Sequence, residues 1–289
     1  KLRLDMSEES LAVDLDLEAA EGRAALALFA SSKGPVLDLL PLLSSPAPLE
    51  ALESEEITGQ GALTLTDFDL PGTVAGAKAD IVFDLALRDG ALALELPDAA
   101  MLSGVPSTEL LRQAGLPGEL LAAAAQPLSL RVAQLGNDAP AALLRREEAG
   151  YRLETNLELA LHGGSGGELR ARLLGQASLD GGGRLRSAEL PGTLLEVKDL
   201  ATAGHSLAKG SYRGSLTYEN GTLRAAGRLA AEGLDSAAVQ LASGSLDGQA
   251  SYALGALTFD GELGLAGVTA QGYALTSASY RGTAGLREG

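Results

Sequence analysis

One short glycine-rich segment of this chain has the residue types of a hydrolase nucleophile. Gly163, Ser165 and Gly167 satisfy the G-x-S-x-G pattern, and His162 stands directly before them. In a nucleophile elbow the serine lies on a strained turn between a strand and a helix. The residues after this motif, 168–174, instead alternate apolar and polar types as a strand does. The sequence therefore predicts a flexible hairpin loop here, and no catalytic residue.

Alternating acidic residues are the second candidate for chemistry. Asp14, Asp16 and Glu18 stand at every second position, as do Asp67 and Asp69. On a strand these carboxylates share one face at steps of about 6.6 Å, which is poor geometry for chelating calcium. The chain has no Cys and only two His, so we expect no structural zinc site, thiol chemistry or disulfide framework. We predict no metal and no cofactor.

Charge and composition exclude further classes of protein. The chain has 289 residues, with 22 Lys+Arg against 38 Asp+Glu and a net charge of −16. Such a chain repels phosphate backbones, so nucleic-acid binding is not expected. The apolar fraction of 46% is sufficient for a core, although aromatic residues make up only 3%. No signal peptide or apolar run of about 20 residues is found, and we interpret the chain as a piece of a longer protein or a mature form.

Apolar residues at every second position dominate the sequence and predict half-buried strands. The clearest stretches are 11–17, 81–87, 92–96 and 151–161. Turn dipeptides between alternating stretches predict antiparallel hairpins. They are Asp89-Gly90, Asp180-Gly181, Asn220-Gly221, Asp247-Gly248 and Asp260-Gly261. The fold class predicted from these patterns is mainly β, with neighbouring strands antiparallel.

Two segments break the alternation and have the pattern of short helices. Residues 34–58 carry prolines and helix-like stretches, and residues 97–126 carry polar helix starts with Gly or Pro stops. These two helical insertions either cap a core or form a mobile lid over an apolar groove.

The C-terminal third contains an internal repeat of 34 residues. Leu207, Leu241 and Leu275 superpose at this offset, as do three serines and three glycines. A period of 34 is also that of helical tetratricopeptide repeats. Each unit here has at least five Gly, which cost a helix interior about 1 kcal/mol each, so β-repeats are predicted. We divide the chain into a β-rich groove segment, 1–200, and a β-repeat segment, 201–289, within one continuous elongated domain.

The apolar side of such a sheet must be buried, and its lining is aliphatic rather than aromatic. A smooth aliphatic lining suits acyl chains, although the same composition would also fill an ordinary core. The residues that we predict to line a lipid-binding groove alternate along four stretches of strand. They are Leu63, Leu65, Ile81, Phe83, Leu85, Leu87, Leu92, Leu94, Leu96, Leu153, Leu157, Leu159 and Leu161.

The long alternating strands, hairpin turns and glycine-rich repeats resemble the AsmA-like bridge proteins of diderm bacteria. This pattern is clearest in ALTLTDFDLPG (Ala62 to Gly72) and GSLDGQASYALGALTFDGEL (Gly244 to Leu263). Within that family the helical interruptions are most similar to its YdbH branch, beside the TamB branch. The resemblance implies an elongated antiparallel sheet bent into a trough (a β-taco) with an apolar interior.

The resemblance also implies a function and partners. It implies a groove in the periplasm that conducts phospholipid acyl chains between the membranes, in a protein anchored in the inner membrane by a helix absent from this chain. An open sheet edge could accept a strand from an outer-membrane lipoprotein. The alternative is a secreted or surface β-repeat scaffold, or adhesin, whose apolar core is sealed.

Overall fold

The described residues form one antiparallel sheet, as the alternation predicts. A computed structural model describes residues 1–19, 22–33, 35, 55–70, 74–108, 126–163, 166–202, 204–253, 255–270 and 272–287. These residues carry 17 strands in a single sheet. The strands are β1 (Leu2–Met6), β2 (Ser10–Ala19), β3 (Gly22–Ser32), β4 (Ile57–Leu70), β5 (Val74–Arg88), β6 (Ala91–Glu95), β7 (Ala100–Pro106), β8 (Leu128–Gln134), β9 (Ala142–Glu147), β10 (Gly150–Gly163), β11 (Glu168–Leu179), β12 (Leu185–Thr202), β13 (His205–Glu219), β14 (Thr222–Ser236), β15 (Val239–Ala253), β16 (Ala256–Ala270) and β17 (Tyr273–Arg287).

The strands follow one another across the sheet nearly in chain order. From β1 to β5, and again from β10 to β17, each strand pairs antiparallel with the next one. Between these two meanders, two positions of the sheet are each occupied by two short strands. β6 and β7 both pair with β5, and β8 and β9 both pair with β10. Because β6 pairs with β9 and β7 with β8, the split strands join the two meanders.

Three of the predicted turns join neighbouring strands. Asp89-Gly90 and Asn220-Gly221 have positive φ at both residues, which suits the turns that fit the twist of a two-residue hairpin. The Asp180 carboxylate accepts hydrogen bonds from the backbone N–H of Gly182 and of Arg184, each at 2.9 Å, in the turn between β11 and β12. These bonds lower the pKa of the Asp180 carboxyl, the bond from Arg184 more than any other cause.

The other two predicted turns are wrong. Asp247-Gly248 and Asp260-Gly261 lie inside β15 and β16, where Gly248 stands opposite Gly261. The chain turns instead near Gly255, whose φ of +74° marks a left-handed turn position. Dipeptides that suit a turn also suit a strand position where two backbones approach closely, and the sequence alone does not separate the two uses.

The repeat of 34 residues is one β-hairpin. Each strand from β13 to β17 has 15 residues, and two residues separate it from the next strand. Two strands and two connections therefore complete one period. The repeats add side by side to the same sheet, which explains why equivalent residues such as Leu229 and Leu263 lie in parallel positions on it.

The two predicted helical segments fall mostly outside the described residues. Residues 36–54 and 109–125 are not described. Where the structure describes the predicted ranges 34–58 and 97–126, β4 begins at Ile57, β7 occupies Ala100–Pro106, and Thr108 is the one described residue in a helical state. The predicted bounds are wrong at these ends because the backbone of β7 pairs on both sides, with β5 and with β8.

The described residues bury very few large apolar side chains. Seven apolar residues are buried, six of them alanines, and Leu87 is the largest. They are Ala77, Ala79, Leu87, Ala100, Ala141, Ala160 and Ala171. A sandwich or barrel of this size would bury most of its leucines between two layers. The described sheet is therefore a single layer whose larger apolar residues, apart from Leu87, stay half-buried or exposed.

Candidate apolar binding face

The predicted lining residues meet on one side of the sheet. Residues opposite each other in an antiparallel pair project to the same side, and residues along a strand alternate between sides. Leu63 lies opposite Ile81 in the β4–β5 pair. Leu85 lies opposite Leu94 in the β5–β6 pair. The alternating apolar residues of β4, β5 and β6 therefore share a single side.

Two separate routes through the split strands carry this side to β10. On each route every residue is opposite the next. The first route is Leu87, Leu92, Leu144 and Leu153. The second route is Ala79, Leu102, Leu130 and Leu161. Because both routes reach odd-numbered residues of β10, the predicted residues of that strand share the side defined by β5.

We call this side the apolar face. Of the predicted lining residues, those that lie in strands all belong to it. They are Leu63, Leu65, Ile81, Phe83, Leu85, Leu87, Leu92, Leu94, Leu153, Leu157, Leu159 and Leu161. Leu87 is 5% exposed, and the others are half-buried. Leu96 lies outside the strands because β6 ends at Glu95, and its backbone N–H donates to the Gln134 side-chain oxygen at 3.0 Å.

The apolar face continues into the repeats, which the prediction of lining residues left out. One row of opposed residues crosses eight strands, from β10 to β17. It is Leu159, Ala171, Leu195, Tyr212, Leu229, Leu246, Leu263 and Tyr280. The alternation of Leu and Tyr with polar residues in each repeat was the available signal for these positions.

Large apolar side chains remain open to solvent on the repeat part of this face. Leu229 is 47% exposed and Tyr280 is 45% exposed. Their exposure shows that no second layer of described strands packs over them. Contiguous exposed apolar surface of this kind marks a site for a ligand, a membrane or a partner protein.

The opposite side, the polar face, is charged. Asp16 accepts two hydrogen bonds from the Arg23 guanidinium, at 2.9 and 2.8 Å, and this contact is the main cause that lowers the pKa of Asp16. Glu168 likewise has a lowered pKa, chiefly because Arg170 donates a hydrogen bond to it at 2.5 Å. Exposed pairs of this kind contribute little to stability but keep one side of the sheet hydrated.

The G-x-S-x-G motif lies in the connection of the β10–β11 hairpin. Ser165 itself is outside the described residues, whereas the N–H of Gly163 donates to the carbonyl of Gly167 at 2.9 Å. The motif is followed by a strand, as predicted, and not by the helix that a nucleophile elbow needs. His162 lies opposite Glu168 and pairs with it at 3.5 Å on the polar face.

The acids considered for calcium are engaged elsewhere or apart from one another. Asp16 is bound to Arg23, and Asp67 pairs with Lys78 at 3.0 Å. In the described part of the chain, no three His, Cys, Asp or Glu side chains come together as a group that could hold a metal ion. Across the same residues, no helix has the length and apolarity needed to span a membrane.

Comparisons with protein-family models, with curated proteins and with solved structures gave no match to this chain.

Proposed function

We propose that this chain binds phospholipid acyl chains on its apolar face and forms part of a periplasmic groove that conducts lipids between the inner and outer membranes. The observation that carries the proposal is a single-layer sheet whose apolar face runs from strand to strand without a covering layer among the described residues. The resemblance to AsmA-like bridge proteins in the long alternating strands and the glycine-rich repeats supports the same function.

The driving force would be the removal of acyl chains from water. Each buried CH₂ group contributes about 0.8 kcal/mol. A lining of Leu, Ala and Val offers similar contacts at each step along the sheet, so a bound lipid would meet only small changes in free energy as it moves. The charged polar face would keep the outside of the trough hydrated.

The edge of the sheet offers a place for the predicted protein partner. β17 pairs with β16, and no other described strand pairs with it. A strand from an outer-membrane lipoprotein could extend the sheet there through backbone hydrogen bonds. The inner-membrane anchor belongs to this proposal through the family resemblance only.

The proposal is tested by native mass spectrometry of the 289-residue chain purified from a bacterial periplasm, followed by lipid extraction. The test variant combines Leu94→Asp with Leu159→Asp on the apolar face. The control variant combines Phe29→Asp with Met101→Asp, two apolar residues on the polar face that are 47% and 44% exposed. Circular dichroism checks that both variants keep their strand content.

Phospholipid that copurifies with the wild type and the control, and is lost from the test variant, is the expected result. A chain that is free of lipid in the wild type overturns the proposal and favours the scaffold or adhesin. Equal loss of lipid from both variants also contradicts it, because the introduced aspartates would then disturb lipid binding from either face of the sheet.

A further inference from the structure

A row of paired glycines crosses the repeat part of the apolar face. Gly214, Gly227, Gly248, Gly261 and Gly282 stand opposite one another in turn, from β13 to β17. We call this row the glycine line. A Cβ added at Gly248 would collide with the backbone oxygen of Asp260, and one at Gly261 with that of Asp247. Only glycine permits this close approach, and in a strand such positions mark a sharp bend.

Register shifts of β11 and β12 lie on the same line. Gly214 is opposite Thr193, next to the register shift between Leu190 and Thr193 in β12. β11 shifts its register against β12 between Arg172 and Gln176. Register shifts of this kind bend a strand and increase its twist. The line thus passes from the repeats into the first part of the chain.

Beyond β11 the line meets the split strands. The gap between β8 and β9 lies opposite Asn156, whose side-chain amide donates to the carbonyls of Leu135 and Ala139, each at 3.0 Å. The gap between β6 and β7 lies opposite residues 81–83 of β5. There the Phe83 ring covers Gly61 of β4. A line of glycines, register shifts and gaps therefore runs from β4 to β17.

Four of the buried residues lie on this line. Thr193 is 1% exposed and Asn156 is 8% exposed, and these are the buried polar residues of the described chain. Ala141 and Ala100 are buried at the ends of the two gaps. On the side of the split strands the line therefore includes buried residues, whereas its glycines in the repeats are half-buried.

Two tyrosines tie together the strand halves on either side of the line. The Tyr212 hydroxyl donates to the carbonyl of Ser215 at 2.8 Å and lies 3.2 Å from that of Ala226. The Tyr280 hydroxyl donates to the carbonyl of Thr283 at 2.8 Å. The two tyrosines stand two repeats apart, and each reaches over a glycine of the line.

We infer that this line is the floor of a lengthwise crease in the apolar face, that a phospholipid acyl chain lies along it, and that Tyr212 and Tyr280 hold its two walls together. The location of the ligand rests on the proposed function, whereas the crease and its tyrosines do not. The strand halves on either side of the line form the walls. The groove runs across the strands, so one acyl chain contacts several repeats at once.

The crease is tested without lipid by hydrogen exchange. In the Tyr212→Phe/Tyr280→Phe variant, we expect several-fold faster exchange of the amides next to Gly214 and Gly282. The Tyr252→Phe variant is the control, because Tyr252 lies on the same face and its hydroxyl has no hydrogen-bond partner among the described residues. Unchanged exchange in the double variant overturns the role of the tyrosines.

The position of the ligand is tested with vesicles that contain a phospholipid carrying a nitroxide on its acyl chain. The chain has no Trp, so one tryptophan can be introduced as a reporter. We compare Leu246→Trp, beside the line, with Leu286→Trp, which is on the same face near its rim and 70% exposed. We expect several-fold stronger fluorescence quenching in the Leu246→Trp variant.

Equal quenching of the two reporters overturns the position of the ligand but leaves lipid binding in place. No quenching of either reporter, together with lipid-free wild-type chain, overturns the proposed function and the ligand position with it. The exchange experiment still decides on the crease in that case.

Discussion

The split-strand region, β5 to β10, and the repeat region, β13 to β17, extend the same apolar face by different means. All seven buried apolar residues lie between residues 77 and 171, and none of them belongs to the repeat region. In the split-strand region the sheet is interrupted by gaps and tied by the buried Asn156. In the repeat region no strand is split, and the line consists of glycines instead of gaps.

The two regions show two ways in which a single-layer sheet can be held together without a sealed core. A repeat of hairpins of equal length gains stability from neighbouring strands, so each added hairpin requires little local burial. The split-strand region lacks this regularity and depends on particular side chains. We therefore expect the largest losses of stability from substitutions of buried side chains in the split-strand region, and from substitutions that disturb the backbone in the repeat region.

The largest effect is expected for Leu87→Ala. Leu87 is the largest buried apolar residue described, between Ile57 and Leu92, so its truncation should lower the free energy of unfolding by about 3 kcal/mol. Leu286→Ala in the repeat region is the control, since its 70% exposed side chain should give a change within about 0.5 kcal/mol. Urea denaturation followed by circular dichroism measures both. Similar losses in the two variants would contradict the contrast between the regions.

The next effect is expected for Gly248→Ala in the repeat region. The added methyl group would meet the Asp260 carbonyl oxygen at a φ of +156°, which only glycine adopts readily. We expect a loss of about 2 kcal/mol in the free energy of unfolding. Gly285→Ala is the matched control, because the nearest atom to its new Cβ is 3.8 Å away. If both variants unfold at the same urea concentration, the glycine line is not a backbone requirement.

Most of the sheet could be predicted from the sequence, because alternation determines which residues share a side whatever the order of the strands. Leu63 and Leu161 were placed on one face in this way, although five strands separate β4 from β10 along the chain. The splitting of strands could not be predicted. Leu96 continues the alternation of Leu92 and Leu94, yet it lies outside β6 and its N–H donates to the side chain of Gln134 rather than to a backbone carbonyl.

The glycine line also could not be predicted from the sequence, because it depends on how the strands pair. Asp247-Gly248 and Asp260-Gly261 have the composition of turns. Only the pairing of β15 with β16 shows that Gly248 and Gly261 lie opposite each other, where the two backbones approach closely. The repeat itself was visible at its 34-residue offset. That each repeat is one hairpin could not be predicted, because the turns between the strands have weaker sequence signals than the dipeptides inside β15 and β16.

A smaller effect is expected for Asn156→Ala. The variant removes the side-chain donor to the carbonyl of Leu135 and one of the two donors to that of Ala139, which also accepts from Gln134, and this should lower the free energy of unfolding by about 1.5 kcal/mol. Gln249→Ala on the polar face of the repeat region is the control, because its side chain is exposed. Hydrogen exchange should show faster exchange near the gap between β8 and β9 in the Asn156→Ala variant only. Exchange that rises equally in the repeats would mean that the two regions unfold as one unit.

The smallest effect is expected at the turn between β11 and β12, which leads from one region to the other. The Asp180 carboxylate accepts two backbone hydrogen bonds, and its pKa in the folded chain lies below the ordinary value of 3.8. A carboxyl whose pKa is lowered by folding stabilises the fold above its unfolded pKa and loses that contribution as the pH falls through the folded pKa. The turn should therefore loosen only in acid.

The measurement for this turn is the pH dependence of the Gly182 and Arg184 amide signals in NMR spectra. Both signals should shift together at a pH below 3.8, as Asp180 becomes protonated. Asp180→Asn keeps an oxygen acceptor but does not titrate, so it should remove this shift while preserving the turn. A shift that persists in Asp180→Asn would assign the transition to another group. In that case the junction between the two regions would not depend on the Asp180 carboxylate.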